Sequence, residues 1–388
     1  MLLSCEEDPT SVGNDLLPPG DIVEFIELDS YLADLAQESV YFDEEVFLGA
    51  ADEILVGKNS GLKSTSMMRF FIPITVETGR LIDSSQFNMI SAKVILKPNY
   101  VLGDQTAPFA MTIHTINSPW FVDSFTVDSL YLLDYNQENV AMNMEYSDTL
   151  ITFNLDTAMV LSWMVAQLDT NIENSHGILL KPDETSDKII GFRAFGPDFQ
   201  NIQPIMEIAY EGVGFDTEIF ADTIWATLTS DQHIVEGQIT ETSEDIIILQ
   251  GGLGGRGALK FDLSSIPANS IINNAQLEIS YDSLNSVLGN PFVDSLTVTL
   301  LEDYDNRASL DSLGFFYLTR DGDIFSGSIT RFVQRWLYDE ENNGVSNNGV
   351  KLALADELEF VNKVVLYSSQ NNDPLLKPRL KIIYSRKQ

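Results

Sequence analysis

Pro204-Ile205-Met206-Glu207-Ile208-Ala209-Tyr210 and, far downstream, Pro378-Arg379-Leu380-Lys381-Ile382-Ile383-Tyr384 are two versions of one segment. Each enters on a proline, leaves on a tyrosine, and aligns with the other without a gap. Met206, Ile208 and Tyr210 alternate with Glu207 and Ala209, and Leu380, Ile382 and Tyr384 alternate in the same way. A period of two is the signature of a strand with one face buried. Finding the same strand twice points to an internal duplication, and further landmarks confirm the order at a spacing of roughly 175 to 190 residues. Met68-Arg69-Phe70-Phe71-Ile72-Pro73 matches Leu259-Lys260-Phe261-Asp262-Leu263. Ser91-Ala92-Lys93-Val94-Ile95-Leu96 matches Asn274-Ala275-Gln276-Leu277-Glu278-Ile279. Phe109 to His114 matches Leu296 to Leu300.

One landmark is helical. Ile329, Phe332, Val333, Trp336 and Leu337 fall at i, i+3, i+4, i+7 and i+8, an apolar stripe. Met159, Val160, Trp163 and Met164 repeat it, which assigns Trp163 and Trp336 to the core. A polar turn and a β run follow each stripe, at His176-Gly177-Ile178 and Asn348-Gly349-Val350. The remaining segments are short, β-branched and divided by Gly, Asn, Asp and Pro turns. The sequence therefore predicts an all-β protein: two tandem antiparallel, jelly-roll-like β-sandwich domains, each with one short helix. The expected boundaries are a tether over 1–20, a first sandwich over 21–211 and a second over 212–388. Glu211-Gly212-Val213-Gly214 is the expected hinge, short enough that the domains should restrict each other.

The chain has 388 residues, 44% of them hydrophobic and 10% aromatic, enough to bury two real cores. Its 58 acidic and 22 basic residues give a formal charge of −36, which repels phosphate backbones and argues against nucleic-acid binding. No apolar run reaches the roughly 18 residues of a membrane-spanning helix. The one cysteine, Cys5, leaves no intrachain disulfide.

Cys5 follows Leu2-Leu3-Ser4, the type of setting in which a bacterial lipoprotein cysteine receives its lipid. Glu6-Glu7-Asp8 and a Pro-, Gly- and Asp-rich stretch come next, a composition that solvates and tethers but cannot pack. The acidic residues after the cysteine resemble the surface-export signal of Bacteroidota lipoproteins. The expectation is an outer-membrane lipoprotein, exposed to the outside, that meets the membrane only through a lipid on Cys5.

The ordered landmarks resemble the DNRLRE domain, a sandwich of exported bacterial and archaeal proteins, over nearly the whole chain and twice. In the second copy, Leu259 to Leu263 with Ile266-Pro267 resembles its RF-D-L-S-x-I-P strand. Ile272 to Leu277 resembles its I-x-x-A-x-L strand, Ile329 to Trp336 its V-T-x-x-V-x-x-W helix, and Asn348-Gly349 its N-x-G turn. The first copy departs more, with Phe71 where the motif has Asp. The resemblance implies glycan binding, because members of that family accompany polysaccharide-degrading modules; a fold alone does not fix function.

No catalytic signature emerges. His114, His176 and His233 have no second His or Cys at metal-ligand spacing. There is no G-x-S-x-G elbow and no Walker loop. Gly251-Gly252-Leu253-Gly254-Gly255-Arg256-Gly257 runs on into a strand and not a helix, so it reads as a mobile hairpin loop and not a phosphate cradle. Asp303 with Asp305 and Asp321 with Asp323 are the calcium-like clusters, though neither completes an EF-hand loop, and turn chemistry accounts for them equally well. Trp120, Tyr135 and Tyr304 are the candidate sugar platforms, with a core or staple role for Trp120 as the competing reading. The function expected is non-catalytic binding of extracellular polysaccharide; the alternative is a spacer or protein-interaction component of the cell envelope, and a polysaccharide lyase or glycosidase ranks behind both.

Overall fold

The computed structural model describes residues 23–33, 35–196, 202–215, 217–239, 243–338, 341 and 343–387. Cys5 and the expected tether lie outside them. Along the chain come β1 (Val23–Asp29), β2 (Gln37–Asp43), β3 (Glu53–Asn59) and β4 (Leu62–Phe71). Helix α1 (Val76–Asp83) leads to β5 (Phe87–Leu96), β6 (Pro98–Leu102) and β7 (Met111–Thr115). Next are α2 (Val127–Leu132), β8 (Met142–Tyr146), β9 (Ile151–Leu155) and α3 (Thr157–Leu168). Strands β10 (Ile178–Pro182), β11 (Ile189–Arg193), β12 (Ile205–Val213) and β13 (Ile219–Glu236) follow. The second half runs β14 (Ile246–Gln250), β15 (Gly255–Phe261), β16 (Ile271–Ser280) and β17 (Ser295–Asp303). It continues through β18 (Ala308–Ser309), β19 (Phe315–Asp321), β20 (Ile324–Ser328) and α4 (Thr330–Leu337). It closes with β21 (Val350–Leu354), β22 (Lys363–Tyr367) and β23 (Arg379–Lys387).

The strands form two sheets, paired antiparallel. One has the order β6-β11-β3-β4-β13-β12-β5-β9-β8, with β10 joining β4 and β7. The other runs β1-β23-β16-β20-β19-β17-β21-β15-β14-β22, with β2 on β15 and β18 on β17. Each sheet folds over a core of its own, one around Met68, Phe153, Phe192 and Ile208, the other around Phe261, Leu277, Val298 and Ile382. The expected all-β architecture and its period-two strands are present. In β5 and β16 every second residue is buried from Ala92 and Ala275 onward.

The division of the chain between the sheets differs from the expected boundaries. β12 and β13 are one hairpin, paired from Ile205 with Thr227 to Val213 with Ile219, so Glu211 to Gly214 leads into a turn and is not a hinge. β13 then passes a bulge at Leu228 to Ser230 and pairs with β4 as far as Glu236 with Lys63. Residues 219–236 thus belong to the first sheet. Residues 23–43 belong to the second: β1 pairs with β23 and β2 with β15. β1 and β2 together occupy in one module the place that β13 occupies in the other. They precede β3 as β13 precedes β14, so the two copies have exchanged their leading strands. Proximity in sequence suggested a boundary at 211, but pairing partners are set by free edges of a sheet, which local pattern does not reveal.

The helices α3 and α4 appear where the apolar stripes place them. The first module has two more. Thr75 caps α1 by accepting from Thr78 N at 3.1 Å, and Thr126 caps α2 in a reciprocal capping box with Ser129. A third core joins the modules. On β3, Ile54 and Val56 point into the first core, while Leu55 points the other way to Tyr100, Leu102, Phe360 and Val361. That is why Ile54-Leu55-Val56 is an unbroken apolar run: the strand is covered on both faces. Tyr100 stacks on Phe360 at 4.3 Å, and Val101 and Asn290 exchange backbone bonds of 2.9 and 2.8 Å.

Candidate functional site

The end of β4, the insert after β7 and the end of α3 enclose a groove of about 610 Å³ in the first module. Arg69 and Phe71 come from β4, Trp120 and Phe121 from the insert, Trp163 and Gln167 from α3. The turn Asn174 to Gly177 closes it, and Thr229 of β13 supplies the exchanged strand's contribution. Gly177 makes that turn possible. Its φ is +93°, and a Cβ there would lie 2.1 Å from the Met68 carbonyl oxygen. Gly349 does the same against Leu259 in the second module, at φ +79° and 2.4 Å.

Trp120 is 3% exposed and belongs to a satellite core with Phe125, Ile116 and Leu179. Its Nε1 donates to the His176 carbonyl at 2.7 Å, tying the insert to the turn after α3. The Arg69 guanidinium sits 4.9 Å from the Trp120 ring centroid and donates to the Trp120 carbonyl at 3.4 Å. Arg69 has no carboxylate partner among the described residues, and burial holds its pKa below the ordinary arginine value. By contrast Arg80, Arg193, Arg256, Arg320 and Arg379 each pair with an acid. The Arg69 Nε is buried with no hydrogen-bond partner. Phe71 and Phe121 are 52% and 69% exposed, and Trp163 is half-buried. The groove therefore offers aromatic faces with a donor-rich rim, a surface able to hold a flat, hydroxyl-bearing ligand.

No family model and no curated protein matches the chain. Among solved structures, it is similar to the Streptococcus agalactiae AgI/II polypeptide BspA C-terminal domain at 10% identity and a TM-score of 0.17, over 91% of this chain and 92% of that one. A second chain, titled BspA_C_WT, aligns at 10% identity and a TM-score of 0.16, over 87% and 91%. Similarity at that level carries no argument about this protein.

The structure disperses the residues singled out by sequence. Trp120 takes the core and staple role and not that of an exposed platform; its neighbour Phe121 is the exposed ring. Trp163 and Trp336, expected in the core, are only partly buried, and each lines a groove. Tyr135 is half-buried outside the groove, where its hydroxyl accepts from Lys181 Nζ at 2.6 Å. Tyr304 lies in the second module between Arg307 and Lys260, at 4.6 and 5.7 Å. Asp303 spends its carboxylate on its own turn, accepting from the backbone of Asp305 and Asn306 and from the Asn306 amide. Asp321 and Asp323 flank Gly322 at the β19–β20 hairpin tip. Among the described residues no three His, Cys, Asp or Glu side chains converge as a metal ion requires.

The glycine-dense run is a hairpin between β14 and β15, but a packed one and not a mobile loop. Gly251 N donates to Asn362 O at 3.0 Å and Gly252 N to Glu357 O at 2.8 Å. Of the histidines, His114 is buried and bonded to Thr112 Oγ1 at 2.8 Å, His176 meets Glu173 at 3.0 Å, and burial in β13 pushes His233 down to about 4.

Proposed function

We propose that this protein is a non-catalytic, lipid-anchored surface protein that binds extracellular polysaccharide in the groove of its first module. The observation that carries the reading is the exposed pair Phe71 and Phe121 beside Trp163, over a rim of Arg69, Gln167, Asn174 and Thr229. Sugar rings present apolar C–H faces to aromatic side chains, and their hydroxyls bond to the polar rim. An acidic surface keeps such a protein soluble at the cell exterior, and a lipid on Cys5 would hold it there. The resemblance to DNRLRE domains supports the same class of ligand.

The test is a polysaccharide array probed with the soluble chain and with Phe121→Ala. Binding to one polysaccharide class, weakened roughly tenfold or more in the variant, is the expected result. Absence of binding to every polysaccharide, with the chain folded, would overturn the reading. The core shared by the modules favours a second one, a rigid envelope spacer or protein partner, since Tyr100, Phe360 and Leu55 lock the two sandwiches together.

A further inference from the structure

We infer that the second module carries a saccharide site of its own, in a groove of about 750 Å³ at the same place in the repeat. The correspondence holds residue by residue. Lys260 to Leu263 at the end of β15 stand where Arg69 to Ile72 stand at the end of β4. Trp336 of α4 takes the place of Trp163, and Asn347 that of Ser175, two residues before the positive-φ glycine in each copy. The remaining wall is the exchanged strand in both modules: Thr229 of β13 in the first, Gln37 and Glu38 of β2 in the second.

Duplication explains why the groove exists, and its differences say what it takes. Asp262 replaces the exposed ring of Phe71, and Lys260, Glu38 and Asn347 make the lining more polar. Two buried atoms of lining side chains have no hydrogen-bond partner among the described residues: Trp336 Nε1, a donor, and Gln37 Oε1, an acceptor. Buried polar atoms are nearly always paired, because an unpaired one loses its hydration without return. The fold does not demand an amide at this point. Gln37 faces Phe261 across the β2–β15 ladder, and the matching position opposite Phe70 is Leu228. A small rotation of these two side chains would turn both atoms to a groove ligand that donates and accepts, and hydroxyl groups do both. Asp262 and Glu38 oppose an anion, while the indole of Trp336 gives a ring to stack on. The ligand class is a neutral, hydroxyl-rich sugar, and the chain would hold one polysaccharide at two points, gaining by effective concentration. The choice of ligand class rests on the reading of the first groove; the existence of the site rests on the second groove's own residues.

The experiment is calorimetric titration of the full chain with neutral hexasaccharides of β-glucan, xylan and mannan. Wild type is compared with Phe121→Ala for the first groove and with Gln37→Leu and Trp336→Phe for the second. Two sites per chain are expected for at least one sugar, with one retained in Phe121→Ala. Gln37→Leu should weaken the second site roughly tenfold while the melting temperature holds or rises, because an unpaired acceptor has been removed. Trp336→Phe keeps the ring, removes the donor, and should weaken the same site. A single site lost in Phe121→Ala and unchanged in Gln37→Leu and Trp336→Phe overturns the second site and leaves the first intact. A single site with the opposite pattern upholds the second groove and removes the first. No binding of any hexasaccharide overturns the second site, while the reading of the first groove is decided by the polysaccharide array.

Discussion

Trp120 and Phe121 are consecutive residues with opposite roles. The indole is enclosed by Phe125, Leu179 and Ile116 and bonded to His176, whereas the phenyl ring next to it faces the groove. The two should therefore separate stability from binding. Trp120→Ala removes a buried ring and a buried hydrogen bond and is expected to cost about 3–5 kcal/mol in urea unfolding. Phe121→Ala is expected to change stability by less than about 0.5 kcal/mol while weakening polysaccharide binding. Comparable stability losses in both would place Phe121 in the core and remove it from the site. Sequence pointed to Trp120 because residue type and proximity to a strand end were all it offered; which of two adjacent aromatics faces outward depends on the path of the insert. A better signal was present in the repeat itself. Phe71 stands where the second copy has Asp262, and an apolar ring that alternates with a carboxylate between copies marks a solvent-facing position. Arg69, aligned with Lys260, was legible as a position that carries a cation in both copies.

At the scale of elements, alternation told which face of each strand is buried, and the landmarks located α3 and α4. It could not tell which strand each one joins. β1 pairs with β23, at the other end of the chain, and two apolar residues of β1, Ile26 and Leu28, pack against the second core. Asp29 binds Arg379, and that contact, with burial opposing it, holds the carboxyl below the usual aspartate range. Two outcomes follow for truncated chains. Deleting residues 1–43 strips β23 and β15 of partners but leaves β13 on β4 and β12. Hydrogen exchange should then accelerate in β23 and β15 and stay slow in β4 and β12. Dividing the chain after Glu211 leaves the first half without β13 and the second without β1 and β2, so neither half is expected to unfold cooperatively. Two independently melting halves would show that the exchange of leading strands contributes little.

On the scale of the whole molecule, the junction between modules governs the response to pH. Its tightness shows at Gly289, where a Cβ would fall 2.3 Å from the Tyr100 ring; Tyr100 is buried, stacked on Phe360 and bonded through its hydroxyl to Asn362 at 3.2 Å, so it cannot yield. Beside it lie carboxyls that burial keeps partly protonated. Glu53 is 1% exposed and is pushed up to about 7 from 4.5, with the Asn99 amide and Arg193, both at 2.8 Å, opposing the shift and Asp52 and Glu359 adding to it. Burial also raises Asp356 to about 6 and, on β13, Asp231 to about 7, both from 3.8. Each group binds a proton more tightly folded than unfolded, so the three favour the fold as pH falls from about 8 towards 5 and level off once the unfolded carboxyls protonate too; His233, held neutral by burial down to about 4, opposes them below about 6.5 but is one group against three. Below about pH 4 the trend reverses, because Asp29 and other carboxylates with lowered pKa values then lose their partners. Self-repulsion of a chain of charge −36 acts in the same direction, but salt screens it and leaves the buried groups largely untouched. The expected result is a melting temperature higher at pH 5 than at pH 8, with the difference reduced but still present in 1 M NaCl and smaller again in Glu53→Gln. A melting temperature that climbs from pH 5 to pH 8 in high salt would mean that these carboxyls ionise in the folded protein as freely as in the unfolded one, and that the junction is wetter than its packing implies.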